Sequence, residues 1–596
     1  MPRHGKTIRH GQFEIRETIR VCARRCRHKS GVLVTRRAES LARHIIPGRV
    51  VGYDVLVCVG LQRFFHFRQR EEIRTALLRE HGLSLSAGEV GNPGRLFLTY
   101  VGDPHNERAG LFQDAMSGDG GWPLHVDATG EDGRGTLLVA ISGWRQWVPG
   151  AWKIPTERAD VILPCLRGVV RQFGAPCAVM RDLGRAVTLA VNDLLEEAEP
   201  DIPVFACHQH FLSDIGTDLL RPGHGELRVL FRQAGARPKL RRLVREPGRK
   251  LGGEICEARE CLKYWQKQTD AANCLPNGRA GMAAVRALAQ WAPDFSADGT
   301  GLDFPFDRPH LDFHDRCATV HKAVDAFLCG CADDRKVVRA LRRLGDILKP
   351  VLCEPFLQIT RRFRARAKLF DELRDILRLF PNTSSGDRKI RNKSRTAQEF
   401  SPEELRDVQN GLGQFVTSLK KRRPQRGPAQ DIREAIDLIL RHIEDHGKYL
   451  WGHVIRLPEE AGEKMLIVER TNNIPECFFH GMKHNERRRS GRKISGNDFE
   501  CLPPAAALVY NLNFPDYVRI LCGCSDNLAD AFATTDFEKR RKKLAGETSV
   551  QEDSDIVTPM IASASMPIED RRIIRSEDMR RRIVSAANSR KKISMG

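Results

Sequence analysis

The sequence predicts an α/β protein: a mixed five-stranded sheet interrupted by a large all-α insertion, with a helical region at the N-terminal side. Three observations predict it. Residues 122 to 212 alternate short strand patterns with helical stripes. Residues 213 to 455 carry long helical segments instead. Residues 456 to 530 then return to a core-like pattern, so the sheet unit has to be completed from both sides of the insertion. A chain of 596 residues is too long for one compact core, and several domains are expected.

Residues 1–58 are basic and contain Cys22-x3-Cys26 with His28 two residues on, which resembles half of a zinc ribbon. No second cysteine pair at ligand spacing follows, so a turn with two thiols is the plainer reading and zinc is not expected. Residues 59–115 suggest a helix-turn-helix. Ile73, Leu77 and Leu78 have helical spacing, Gly82 ends that helix, and Ser84 or Ser86 would cap a second one. Pro93 between Gly91 and Gly94 is expected to cut the second helix short. A plain helical hairpin is the alternative.

The core unit is read over residues 120–212. Leu124, Val126 and Ala128 alternate with His125, Asp127 and Thr129, which describes a strand with the aspartate on its second face. Thr136 to Ser142 is a second strand and Gln146 to Ile154 a third. Ile162, Leu166, Val169, Val170 and Phe173 form one helical stripe, with Pro164 kinking the helix or marking its start. Cys177 to Asp182 is a fourth strand, and Val187, Val191 and Leu194 line the next helix. Pro203 to Cys207 is a fifth strand. Three strands, a helix, a strand, a helix and a strand is the element order of the ribonuclease H-like fold.

In the insertion, residues 213–455, helices are expected over 335–349, 354–380, 402–421 and 428–453, with a polar loop from Pro381 to Thr396. Ser401-Pro-Glu-Glu is a strong helix start. Residues 456–530 complete the core, and residues 531–596, charged and serine-rich, are expected to be a disordered tail.

Ninety-seven lysines and arginines stand against 76 acids, a net charge of +21, which points to a polyanionic partner. The sequence shows no signal peptide and no apolar run of about 18 residues, so DNA is expected rather than a membrane. Seventeen cysteines without a framework fit a reducing cytoplasm, with a nucleoid association.

Three acids carry the chemistry. Asp127 sits within an apolar strand, Asp182 ends another, and Glu476 opens a basic helix. Their bland readings are a surface strand residue, a helix cap and an ordinary helix-start glutamate. Together they would form a carboxylate set suited to two Mg²⁺ or Mn²⁺ ions, the hard cations that serve phosphodiester cleavage. On an ideal helix Glu476, His480, Lys483 and Arg487 share a face, and Arg488, Arg489, Arg492 and Lys493 follow. This stripe is the expected DNA grip, a solvated basic helix being the plainer reading. Cys207-His-Gln-His210 offers a Cys-x2-His pair with no partners for a tetrahedral site, so a structural role is expected for Cys207 and His210.

The combination of Val126-Asp-Ala-Thr-Gly130, a strand ending in Asp182, Cys207-x2-His210, a helical insertion and Thr471-Asn-Asn-x-x-Glu476 with lysine and arginine resembles bacterial DDE transposases. It resembles in particular those sharing the Cys-x2-His feature with Mutator-like and hAT-like elements. Phe173-Gly-Ala-Pro176 and Ile154-Pro-Thr-Glu157 fit the same pattern, over residues 60 to 525. The resemblance implies a ribonuclease H-like catalytic core, Asp127, Asp182 and Glu476 as catalytic metal ligands, and insertion-sequence ends and target duplex as substrates. A homodimer or larger assembly on DNA is expected. Pro475, just before the glutamate, departs from the pattern. A ribonuclease H-like nuclease without strand transfer, and an inactive DNA-binding regulator derived from a transposase, are the alternatives.

Overall fold

A computed structural model describes residues 2–545 except 17, 22, 28–32, 34, 37–38, 132, 198–201, 246–257, 259–277, 295–303, 331–333, 380–399, 428, 457–464, 495 and 526. The chain divides into two compact units, one made of residues 1–204 with 472–596 and the other of residues 205–471. Cys22, His28 and the loop at 381–396 lie outside the described residues; Cys26 is exposed.

The first unit opens with an antiparallel hairpin, β1 (Pro2–Thr7) and β2 (Gly11–Arg16). Helices α1 (Tyr53–Gly60), α2 (Arg70–His81), α3 (Ala87–Glu107) and α4 (Ala109–Gly118) follow. Gly82 ends α2 in the left-handed conformation at φ 64°, and Ser86 and Glu89 form a capping box at the start of α3. Pro93 does not shorten that helix: α3 runs 21 residues through both Pro93 and Pro104. Its apolar stripe, from Val90 through Phe97 to Val101, is buried, and that burial outweighs the backbone hydrogen bonds the prolines remove. Leu78, expected on the inner face of α2, is 55% exposed.

The sheet contains β3 (Pro123–Glu131), β4 (Arg134–Ser142), β5 (Gly150–Lys153), β6 (Ala178–Arg181) and β7 (Val204–Ala206), with α5 (Ala159–Phe173) before β6 and α6 (Arg185–Glu197) after it. The spatial order is β5-β4-β3-β6-β7. β3 pairs antiparallel with β4 and parallel with β6, so the sheet is mixed. The third strand is shorter than its aromatic pattern suggests. Gln146 turns at φ 55°, and the backbone of Val148 is taken by the Asn511 side chain, which accepts from its N–H at 2.7 Å and donates to its carbonyl at 3.0 Å. Pro164 lies within α5, five residues after its first residue, and does not mark its start.

After residue 471 the first unit resumes with α15 (Asn473–Ser490) and α16 (Gly496–Cys501), then a 3₁₀ segment (Pro504–Asn513), α17 (Pro515–Cys522) and α18 (Leu528–Ala545). The helix labels α7 to α14 belong to the second unit. The start of the expected tail is not disordered: Ala531, Phe532 and Ala533 of α18 are buried, and Asp536 accepts hydrogen bonds from the hydroxyls of Tyr53, at 2.6 Å, and Tyr100. Few aromatics are needed there because the helix borrows those of α1 and α3. Gly135 lets α16 approach β4, since a Cβ there would meet the Glu500 backbone at 2.7 Å.

The second unit is mainly helical: α7 (His208–Ala234), α8 (Ala236–Arg245), α9 (Gly278–Trp291), α10 (Pro309–Gly330), α11 (Arg335–Leu348), α12 (Phe356–Ile376), α13 (Pro402–Arg422) and α14 (Gln430–His446). A short antiparallel hairpin, β8 (Val454–Arg456) with β9 (Met465–Ile467), closes it. Ser401 and Glu404 form the capping box expected at the start of α13. No helix among the described residues is long and apolar enough to cross a membrane.

Candidate active site

Asp127 lies on β3 and Asp182 immediately after β6. Val126 pairs with Arg181 in the parallel register, so each aspartate stands one residue beyond a matched pair. Met180 pairs with His125, and side chains alternate along a strand, which puts His125, Asp127 and Asp182 on the same sheet face.

Helix α15 lies against that face. Asn472, at its N-terminal boundary, donates from Nδ2 to the Val126 carbonyl at 3.1 Å, while its Oδ1 meets His125 Nδ1 at 3.2 Å. A carbonyl can only accept, so the Asn472 amide orientation is fixed and His125 carries its proton on Nδ1. Further along, Lys483 Nζ donates to Thr129 Oγ1 at 2.6 Å and to the Gly130 carbonyl at 2.8 Å. Arg487 pairs with Glu131 at 2.6 Å. The helix therefore tracks β3 from Val126 to Glu131.

Glu476 belongs to the same helix. At about 100° per residue, Glu476, Lys483 and Arg487 lie on one side of the helix. Glu476 is roughly 6 Å along the helix from Asn472, about one-third of the way to Lys483. Glu476 lies in the helix between Asn472, which meets Val126, and Lys483, which meets Thr129 and Gly130. The Asp127 carboxylate also acts electrostatically on Lys483, whose ammonium is held below its usual range chiefly by burial, with Glu131 and Asp127 opposing that shift.

All three acids are partly exposed. Asp182 Oδ1 accepts from Gly184 N at 3.1 Å, turning the chain into α6, so the cap-like role is real as well. The hard oxygen donors suit Mg²⁺ or Mn²⁺. Among the described residues no three His, Cys, Asp or Glu side chains form a group that could hold a metal ion. The register brings Asp127 and Asp182 to neighbouring positions of one sheet face, and Glu476 lies on the helix packed there.

The cations expected to grip DNA divide into two sets. Lys483 and Arg487 hold β3. Arg489 pairs at 2.7 Å with Glu486, which is fully buried and also meets Arg63 at 3.0 Å; burial lowers the Arg63 guanidinium, and Glu486 opposes the shift. Arg492 reaches Asp498 at 3.3 Å but remains 58% exposed. Arg488 and Lys493 are exposed. The exposed charge therefore lies at the C-terminal end of α15 and just beyond it, past Gly491.

The residues that build the site but were given no role by sequence reasoning are His125 and Asn472. An asparagine before a helix reads as a cap, yet its side chain makes no cap hydrogen bond and turns to the strand instead. His125 is completely buried, and burial lowers its imidazole to about 4, so it is neutral. Its Nε2 sits beside Gly143, where a Cβ would come within 2.7 Å of it. In the second unit Cys207 is buried at the start of α7 and His210 half-buried in its first turn. The neighbouring His208 is the more deeply held of the two histidines, with Nε2 donating to the Leu450 carbonyl at 2.9 Å.

No protein-family model matches this chain, and no curated protein matches it.

Proposed function

We propose that the first unit is the catalytic core of a DDE-type DNA transposase, cutting phosphodiesters at element ends and joining the freed 3′-hydroxyl to target duplex. The strand order and senses described above, with the second strand antiparallel to the first, support a ribonuclease H-like reading. The observation that carries the proposal is the hydrogen bonding of Asn472 and Lys483 to β3, which holds the helix bearing Glu476 against the strand bearing Asp127.

Asp127, Asp182 and Glu476 would hold the divalent cations. Two such ions, when bound, activate an attacking oxygen and stabilise the leaving oxygen of an in-line displacement. Asn472 and Lys483 keep helix and strand in fixed alignment. Arg488, Arg492 and Lys493 offer charge to flanking phosphates, and the net charge of +21 favours duplex DNA throughout.

The test is metal-dependent nicking of duplex DNA by the full chain, followed by strand transfer of pre-cleaved ends. Asp127→Asn is expected to reduce nicking by on the order of 10²–10³-fold without loss of the folded state. Nicking that persists at wild-type level in Asp127→Asn would contradict the assignment. Nicking without strand transfer would reduce it to a nuclease, and DNA binding without either would leave an inactive regulator.

A further inference from the structure

The second unit contains a cavity of about 220 Å³ between α7, α13 and the β8–β9 hairpin. Among the described residues its lining includes Arg406, Arg456, Arg470, His208, His453 and Trp451, and no acid. Arg406 and Arg456 are exposed, whereas Arg470 is only 3% exposed, so charge is present both at the mouth and in depth.

The interior groups are fixed. Arg470 donates to the Leu377 carbonyl at 3.0 Å, its guanidinium lies 4.0 Å from the centre of the Phe400 ring, and it approaches His208 Nδ1 at 3.5 Å. With Nε2 donating to the Leu450 carbonyl, His208 presents Nδ1 as the acceptor. His453 is 3% exposed, stacks on Phe205 at 4.3 Å, and its Nε2 has no hydrogen-bond partner among the described residues. A buried polar atom left this way is costly unless something meets it. Burial and Arg470 lower the His453 imidazole to about 3, so it is neutral and able to present an N–H.

Three guanidiniums and a neutral imidazole suit a tetrahedral oxyanion, because guanidinium donors match its oxygens in pairs. The volume exceeds several waters' worth at about 30 Å³ each, leaving room for an oxyanion and the group attached to it. We propose that this cavity binds a phosphate group, received by Arg406 and Arg456 at the mouth and by Arg470 and His453 within. The phosphate can come from a nucleic-acid strand end or from a free small oxyanion. Only the first source rests on the DNA-processing reading.

The test compares binding of a 5′-phosphorylated single-stranded oligonucleotide with its 5′-hydroxyl counterpart by the full chain, with inorganic phosphate titrated separately. Arg406→Gln/Arg456→Gln is the variant of choice, since both side chains are exposed and their loss should leave the fold intact, unlike that of Arg470. The expected result is a preference of roughly tenfold for the phosphorylated end, abolished in the double variant and retained in Asp127→Asn. Binding of inorganic phosphate that depends on the same two arginines, without an oligonucleotide preference, supports the site with a free oxyanion as its ligand. No phosphate binding of either kind, or binding unchanged in the double variant, overturns the proposal. Because Asp127 is untouched in the double variant, that failure is distinct from failure of the catalytic reading.

Discussion

The two ends of α15 are both rich in polar residues, yet they are held by different means. At the N-terminal end a neutral amide, Asn472, bonds the Val126 carbonyl and the neutral His125, while Glu476 stays partly exposed. At the C-terminal end the fully buried Glu486 is clasped by Arg63 and Arg489. The contrast teaches that neutral hydrogen bonds can fix backbone position while nearby carboxylates remain partly exposed. Ion pairs anchor the other end, where no acid has to remain available.

The comparison can be broken first at its charged end. Glu486→Gln removes the anion between two largely buried guanidiniums and should cost about 3–5 kcal/mol in denaturant unfolding. A cost under about 1 kcal/mol would show that the pair is an ordinary surface ion pair. Asn472→Ala removes the acceptor of the buried His125 N–H and a donor to the Val126 carbonyl and should cost about 2–4 kcal/mol. At a temperature where both variants remain folded, Asn472→Ala should lose far more nicking activity than Glu486→Gln, because only the first releases the helix start beside the acids. Equal losses would erase the distinction between the ends.

A smaller effect sharpens the neutral end. Gly143→Ala would press on His125 Nε2 from 2.7 Å and should cost about 1–3 kcal/mol through overpacking. The pH dependence follows from the same histidine. His125 is lowered from about 6.5 to about 4 in the folded chain, and burial does the same to His105. The unfolded chain therefore binds protons first as pH falls, so this stability is complete above pH 6.5 and is lost progressively down to about pH 4. A urea midpoint that stays flat from pH 7 to pH 4 would contradict the buried, neutral assignment.

Much of the sheet was legible in the sequence because its strands are apolar, short and punctuated by glycine and proline. The alternation around Asp127 marked the strand, although His125 on its polar face is buried and Ala128 on its apolar face only half-buried, and the strand end at Asp182 was found to within one residue. Three features were not legible, each for a tertiary reason. Pro93 sits inside a helix because Phe97 and Val101 are buried on the same stripe. The start of the tail is ordered because Asp536 finds two tyrosines more than 430 residues away in sequence. Asn472 abandons the cap role its position suggests because the sheet offers a carbonyl and a histidine together, and no local pattern encodes that.

The central claim is that Asp127, Asp182 and Glu476 act as one carboxylate set on the α15 face of the sheet. Its most direct test is the thermal unfolding midpoint of the full chain with and without Mn²⁺, for wild type and for Asp127→Asn, Asp182→Asn and Glu476→Gln. An ion that binds only the folded state raises the midpoint in proportion to its affinity. The account predicts a clear rise in wild type that each single substitution removes. A rise that survives any one of the three substitutions, or none in a folded wild-type protein, would contradict it.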